Sequence, residues 1–434
     1  MKFGTDGVRG VANTDLTASF ALDLGRAAAR VLGGAEAVVG GDTRLSTAML
    51  EAAFVAGLAS EGVTVHRLGV VPTPVVAHEA ARRNCIGAMI SASHNTYRDN
   101  GIKLFAAGGT KLPDDVEAQI ETVVADLPAP AGEPAQLHEV EPASTYADHV
   151  LDALEGRRLD GLRIVVDVAN GAATELARPL LARTGADVTV INDRPDGRNI
   201  NERCGATDLA GLAAAVVDAG ADLGLALDGD ADRLLAVDHT GAAVDGDHIL
   251  AICALDLHRR GRLRDDTVVI TVMTNLGFRL AMAEAGITVV ETPVGDRYVL
   301  EALDAGGLSL GGEQSGHVIF RDRATTGDGL LTAVVLADAV MRSGRPLAEV
   351  VADVMTRLPQ ALVNVPVDRP MPDAADRLAA EIAAVTTELG DRGRVLVRPS
   401  GTEPLVRVMV EAPTQEQAMA TAEHLADAIR AAAG

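Results

Sequence analysis

Three related α/β domains with mostly parallel mixed sheets, followed by a smaller C-terminal α+β domain and arranged around a central cleft, are what this sequence predicts. Two observations carry that reading. A strand–turn–helix–strand pattern recurs three times before residue 360. Each recurrence then supplies one more apolar strand that empties into small and polar residues. Strands that alternate with helical segments imply βαβ units and a mostly parallel sheet. At 434 residues the chain also exceeds one ordinary core, so several domains are expected.

The first copy opens at Val38-Val-Gly-Gly-Asp-Thr-Arg44 and has its second strand at Gly62-Val-Thr-Val-His66. The second opens at Ile164-Val-Val-Asp-Val-Ala-Asn-Gly171, with Gly185-Ala-Asp-Val-Thr-Val-Ile191 behind it. The third opens at Val268-Val-Ile-Thr-Val-Met-Thr-Asn275, followed by Gly286-Ile-Thr-Val-Val290. The additional strands are Gly87-Ala-Met-Ile90, Leu223-Gly-Leu-Ala-Leu227 and Leu308-Ser-Leu310, and they deliver Ser93, Asp228 and Glu313. Domain boundaries are placed at 1–135, 136–245, 246–360 and 361–434. Pro128 to Pro134 reads as a surface connection and Gly241 to Asp247 as a turn. Pro359 to Pro372, with four prolines, suits a hinge. In the last domain Arg394-Val-Leu-Val397 and Leu405 to Val410 flank a Ser-Gly-Thr loop, and Thr414 can cap a final helix.

Composition narrows the function. Hydrophobic residues make up 48% of the chain but aromatics only 2%, so Ala, Val and Leu must do the packing. A net charge of −23 argues against nucleic acid and anionic membranes as partners. An anionic substrate then requires Arg and Lys to be concentrated locally. The start, Met1-Lys-Phe-Gly-Thr-Asp6, has no apolar signal region, and no run approaches the roughly 18 apolar residues of a membrane helix. Cys85, Cys204 and Cys253 are odd in number and far apart, which fits buried thiols in a reducing cytoplasm and gives no zinc spacing.

The loops carry the chemistry. Ser91-Ala-Ser-His-Asn-Thr-Tyr-Arg-Asp-Asn-Gly-Ile-Lys103 follows an apolar strand, at the carboxyl end where open α/β sheets bind ligands. Ser93 there suits a serine that carries a phosphoryl group. His94 joins the candidate catalytic set, although its adjacency in sequence places it poorly as a base for Ser93. Asp228, Asp230 and Asp232 alternate along Asp228-Gly-Asp-Ala-Asp-Arg233. Three carboxylates so close repel unless a cation sits between them, and hard oxygen ligands suit Mg2+. An EF-hand reading fails because Arg233 stands where Gly is needed. Arg233 would point away from the metal and could hold a phosphate. Glu313, Ser315 and His317 alternate in Gly312-Glu-Gln-Ser-Gly-His317. Their carboxylate and hydroxyl suit sugar hydroxyls, and His317 reads equally well as a structural histidine. Arg398, Ser400, Gly401, Thr402 and Arg407 form a loop suited to an anion, by backbone approach and bidentate guanidinium contacts.

These four ordered motifs resemble the α-D-phosphohexomutases, and Phe3-Gly-Thr-Asp-Gly-Val-Arg-Gly10 resembles the opening of that superfamily's bacterial phosphoglucosamine mutase branch. The resemblance spans nearly the whole chain. It implies that Ser93 is phosphorylated in the active enzyme and completes a one-ion Mg2+ site with Asp228, Asp230 and Asp232. It implies sugar contacts for Glu313 and Ser315, and a non-transferring phosphate site at Arg398 to Arg407. Arg9 and Lys103 match cations near the transferring phosphate, and Lys103 is a candidate to assist proton movement. Asp296 and Arg297 resemble a sugar-facing loop. The implied substrate is a small hexosamine phosphate, with glucosamine 1,6-bisphosphate as intermediate, and a homodimer fits the family. Gln314 tilts the choice toward the amino sugar over glucose or mannose phosphates. A non-catalytic sugar-phosphate sensor and a metal-dependent phosphatase are the rival classes. Two positions depart from the family pattern. Thr96 replaces the usual Pro, so a looser loop is expected there, and Ala206-Thr-Asp208 has no assigned role.

Overall fold

Each of the three recurring segments builds a sheet with the same strand order. In the first, Thr64–Val70, Glu36–Gly41, Ile86–Ile90 and Asp99–Phe105 are neighbours in that sequence. The second repeats it with Asp187–Ile191, Arg163–Asp167, Leu223–Leu227 and Leu234–Asp238, and the third with Thr288–Thr292, Thr267–Thr271, Leu310–Gly312 and Val318–Phe320. The first three strands of every copy are parallel, and the fourth returns antiparallel to the third. The turn into that return strand carries the candidate site residues: 91–98, 228–233 or 313–317.

This computed structural model describes residues 2–4, 6–130, 133–141, 143–399 and 404–433. They divide into two units, Met1–Met273 with Gly286–Val354, and Thr274–Ala285 with Met355–Gly434. The three repeat sheets belong to the first unit. Its opening strand, Val8–Val11, adds antiparallel to Asp99–Phe105 with Arg9 opposite Gly101, which brings the amino-terminal segment beside Lys103. Val, Leu, Ile and Ala supply most of the first core cluster, with Phe54 among its few aromatics. Helix Ala18–Leu32 crosses helix Thr47–Ser60 over two glycines. A Cβ on Gly57 would lie 2.2 Å from the Leu22 carbonyl oxygen, and one on Gly25 would lie 2.3 Å from that of Phe54.

In the second unit, strands Gln360–Pro366, Leu405–Glu411 and Arg394–Pro399 form an antiparallel sheet, and helices Ala379–Leu389 and Gln415–Ala433 complete an α+β layer. Thr414 Oγ1 accepts from the Gln417 amide, as a cap should. Helix Leu276–Glu284, the first crossover of the third repeat, belongs to this unit. Its Leu276 amide donates to Glu411 Oε2 (2.9 Å), and Arg394 Nε reaches the same oxygen (3.1 Å). The expected hinge at Pro359–Pro372 is corrected here: residues 360–366 are a strand with unbroken register to Leu405–Glu411. Pro359 precedes the strand and Pro366 ends it on the sheet edge, where a missing N–H costs no ladder bond.

The crossing of the two amino-terminal helices yields a stability prediction. Gly57→Ala forces the helices apart and should destabilise the protein by about 1–3 kcal/mol, read as a lowered thermal midpoint. An unchanged midpoint would refute the close-contact account.

Candidate active site

Ser93 sits where the parallel strand Ile86–Ile90 ends, with a left-handed backbone (φ 50°) that is costly for a residue bearing Cβ. The surroundings hold it there. Its amide donates to Ser91 Oγ (3.0 Å), and Ser91 Oγ donates to Asp42 (2.6 Å). Arg44, fully buried and paired with Asp42 at 2.7 Å, donates to the carbonyls of Ser93 (2.8 Å), Asn95 (2.9 Å) and Asp99 (3.1 Å), and also to that of Thr96. Asn201 Nδ2 donates to the Ser93 and Asn95 carbonyls at 2.9 and 3.0 Å. The looser loop expected from Thr96 is therefore not what forms. The loop is gripped by its carbonyls, a grip that does not depend on the side chain at 96.

Ser93 Oγ donates to Asp228 Oδ2 at 2.6 Å, which joins the first repeat's loop to the second's. Asp228, Asp230 and Asp232 are all buried, with carboxylate oxygens within 4.8 Å of one another. At that spacing each pair of charges repels by about 3 kcal/mol at an effective dielectric of ~20. Burial, then the neighbouring Asp232, pushes Asp228 up, and burial with both partners pushes Asp230 well above the usual carboxylate range. Burial would raise Asp232 as well, but Lys103 and His317 outweigh it and hold that carboxyl well below its ordinary value. Thr73 Oγ1 satisfies Asp230 Oδ2 at 2.6 Å, yet Asp230 Oδ1 and Asp232 Oδ1 are buried without a hydrogen bond. Compact hard oxygens with unsatisfied lone pairs fit a small divalent cation.

The sequence did not point to Asp6, yet it is a hub. Its Oδ1 takes Lys103 at 2.9 Å and Lys111 at 2.8 Å, and its Oδ2 pairs with Arg9. These three cations outweigh burial and keep Asp6 ionised far below its ordinary pKa. Lys103 also reaches Asp232 Oδ2 (3.3 Å), and Asp6 and Asp232 lift its ammonium pKa despite burial. The two carboxylates thus favour its charged form. Arg233 donates its amide to Asp228 Oδ1 (3.2 Å), while its side chain stays near the metal loop, Nε 3.8 Å from Asp232, rather than pointing away. His94 Nδ1 lies 3.4 Å from Ser93 Oγ, closer than adjacency alone suggested. Burial, Arg233 and Arg9 push His94 down to about 4, so it is neutral near pH 7.

The third repeat contributes the remaining wall. Glu313 accepts from the Gly295 amide (3.1 Å) and lies within 3.4 Å of Ser315 Oγ, which brings loops 293–296 and 313–317 together. His317 is buried, with Nδ1 3.6 Å from Asp232 and Nε2 3.5 Å from Asp296. Burial opposes its protonation, and the two aspartates raise its pKa above the ordinary value. The Gly327 amide nevertheless donates to Nε2 (3.1 Å), which assigns the neutral ring's proton to Nδ1. Asp296 faces inward and pairs with Lys111. Arg297 does not join it. Glu117 (2.8 Å) and Asp114 bind its guanidinium, so it clasps the helix Asp114–Ala125 instead of facing the site.

In the second unit, Arg398 and Arg407 stand directly opposite each other across adjacent strands. Burial and the charge on Arg407 pull Arg398 below its ordinary pKa. Ser400, Gly401 and Thr402 lie outside the described residues. Arg44, Asn201 and Lys111 were also missed, because each acts on a partner far away in sequence.

Profiles of the phosphoglucomutase/phosphomannomutase α/β/α domains I, II and III match residues 1–129, 144–241 and 245–358, and that of the C-terminal domain matches 362–428. The chain belongs to this family. It is similar to a phosphoglucosamine mutase of Frankia alni, with 59% identity over 99% of this chain and 98% of that one. A phosphoglucosamine mutase of Thermobifida fusca is 56% identical at the same coverage. The crystal structure of a phosphoglucomutase/phosphomannomutase family protein from Burkholderia thailandensis superposes with a TM-score of 0.85 at 26% identity, covering 99% of this chain and 98% of that one. Membership makes the chain an enzyme of the mutase type. Among the described residues no helix is long and apolar enough to cross a membrane.

Two predictions follow from the site. Asp230→Asn removes a buried ligand oxygen and should weaken Mn2+ binding, measured by electron paramagnetic resonance, by at least tenfold; undiminished affinity would exclude Asp230 as a ligand. Arg44→Met leaves Asp42 buried and unpaired, which should cost about 3–5 kcal/mol. Hydrogen exchange should rise first in residues 91–99.

Proposed function

We propose that the chain interconverts glucosamine 6-phosphate and glucosamine 1-phosphate, with phosphoserine at Ser93 and glucosamine 1,6-bisphosphate as the intermediate. The observation that carries this reading is the strained Ser93, whose hydroxyl touches the buried aspartate triad, in a chain so similar to phosphoglucosamine mutases. In the forward half-reaction the Oγ–P bond of phospho-Ser93 breaks, a new O–P bond forms to the free sugar hydroxyl, and the proton that hydroxyl loses ends on the freed Ser93 Oγ. The bisphosphate then reorients and returns its other phosphoryl group to Ser93.

The residues support distinct roles. Arg9, Lys103 and Arg233 supply positive charge beside Ser93, suited to the charge on phosphoryl oxygens in transfer. Neutral His94 offers a hydrogen bond to the serine oxygen. Glu313 and Ser315, with Asp296 and His317 behind them, are suited to sugar hydroxyls. Arg398 and Arg407, with Ser400, Gly401 and Thr402, would hold the phosphate that is not transferred. Asp228, Asp230 and Asp232 would hold one Mg2+, which when bound draws charge from the phosphoryl oxygens. We place the enzyme in the cytoplasm, in keeping with three buried free cysteines, of which Cys85 and Cys204 have thiols pushed up by burial to about 11 and about 12. As working domains we take 1–135, 136–245, 246–360 and 361–434.

The test compares kcat/KM for glucosamine 6-phosphate, glucose 6-phosphate and mannose 6-phosphate with Mg2+ and a trace of the matching bisphosphate. A hundredfold preference for the amino sugar, about 2.7 kcal/mol of transition-state discrimination, is expected. Equal turnover of glucose or mannose phosphate would sink the named substrate. Ser93→Ala should abolish nearly all turnover, and a chain that binds sugar phosphate but never turns it over would be a sensor.

A further inference from the structure

The first unit holds another cavity, of about 300 Å3, none of whose walls belongs to the loops described above. Its charged lining comes from Glu155, from the residues just after helix Gly246–Arg259, from helix Gly329–Ser343 and from the segment after strand Val318–Phe320. The charges there are out of balance. Arg157 pairs with Asp338, Arg260 with Glu155 (2.8 Å) and Asp256 (3.4 Å), and Arg262 with Glu155 again (3.6 Å). Arg342 leans on the same Asp338 and on Asp256. Four arginines thus share three carboxylates, while a fourth carboxylate of the lining, Asp322, is engaged by Arg264 (2.6 Å).

Arg323 adds a fifth guanidinium, which has neither carboxylate nor hydrogen-bond partner among the described residues. A local excess of positive charge is unexpected in a chain of net charge −23. Arg342 Nε is buried without a hydrogen bond, although Asp256 Oδ1 lies 3.5 Å away. Burial, with Arg260 and Arg157 close by, pulls Arg342 below its ordinary pKa in spite of Asp256 and Asp338. Crowded, incompletely bonded guanidinium groups are the donor set that phosphate takes by charge-assisted hydrogen bonds. Leu257, Phe320 and Val335 give the same cavity an apolar wall, and its volume stands at the small end of ligand sites.

We propose that this cavity is a second, non-catalytic anion site that takes a small phosphorylated metabolite, its phosphate between Arg260, Arg323 and Arg342 and its carbon skeleton against Leu257 and Phe320. The inference does not rest on which sugar the catalytic site accepts.

Isothermal titration of the full chain with inorganic phosphate, at low ionic strength, tests it. Arg323→Ala removes no internal bond, and Arg260→Gln keeps the shape while removing charge. Each should weaken one class of phosphate binding by about tenfold or more. The inhibition constant of phosphate against turnover, which reads the catalytic site, should stay within twofold. Unaltered phosphate binding in Arg323→Ala would overturn the proposal. So would a matching rise in the inhibition constant, because the bound phosphate would then be at the catalytic site. Should Arg260→Gln fail to fold, Arg323→Ala still decides.

Discussion

Everything in the first unit is organised around a charge problem: three carboxylates buried within 4.8 Å of one another on one short loop. Bare burial of such a group costs several kcal/mol per ion, so the surrounding chain must answer it. The answer is a closed ring of contacts in which two lysines alternate with carboxylates and His317 closes the circuit. Asp232 contacts Lys103, Lys103 contacts Asp6, Asp6 contacts Lys111, Lys111 contacts Asp296, Asp296 contacts His317, and His317 returns to Asp232. Asp6, Lys103 and Lys111 come from the first repeat, Asp232 from the second, Asp296 and His317 from the third. The electrostatics that make the metal loop tolerable are therefore also what hold the three repeats' loops in register. Asp230 Oδ1 and Asp232 Oδ1 still lack a hydrogen bond, which suits a small divalent cation on this loop.

The repeat explains why such a ring can be assembled. Parallel strands all end at the same edge of a sheet, and in each copy the third strand turns back antiparallel at that edge. A return strand shortens the loop and anchors both of its ends in hydrogen-bonded ladder. Short loops with anchored ends hold side chains to narrow tolerances, which is what phosphoryl transfer demands when catalysis is mostly positioning and electrostatics.

What was legible in the sequence is what local spacing encodes. Ser93, the alternating aspartates and the Glu313–His317 loop each follow an apolar strand within a few residues, so strand pattern and loop chemistry could be read together. The strand positions were found to within a few residues, although Leu310–Gly312 starts two residues later than the apolar Leu308-Ser-Leu310 indicated. Arg44 and Asn201 were out of reach for a physical reason: they grip the Ser93 loop from 49 and 108 residues away, and no periodicity carries that pairing. Arg297 was misread through its neighbour Asp296. At the first turn of a helix, adjacent side chains diverge by about 100°, so one faces the ring and the other clasps Asp114 and Glu117. The prolines after 358 were misread because proline marks strand ends as well as hinges.

The strain at Ser93 connects these threads. A left-handed backbone at a residue with Cβ costs on the order of 1–3 kcal/mol, and it persists only where the surroundings over-determine it. Here Arg44 and Asn201 bind the Ser93 and Asn95 carbonyls, and Ser91 receives the Ser93 amide. With its peptide groups engaged on both sides, the backbone cannot relax, and Oγ is left aimed at Asp228. A proline at 96 would stiffen one φ; the guanidinium of Arg44 instead ties carbonyls from 93 to 99. The loop thus gains its rigidity from the buried Asp42–Arg44 ion pair, which grips it from 49 residues away. That places the vulnerability of the Ser93 hydroxyl in Asp42 and Arg44, two side chains that act on it through the loop backbone and Ser91.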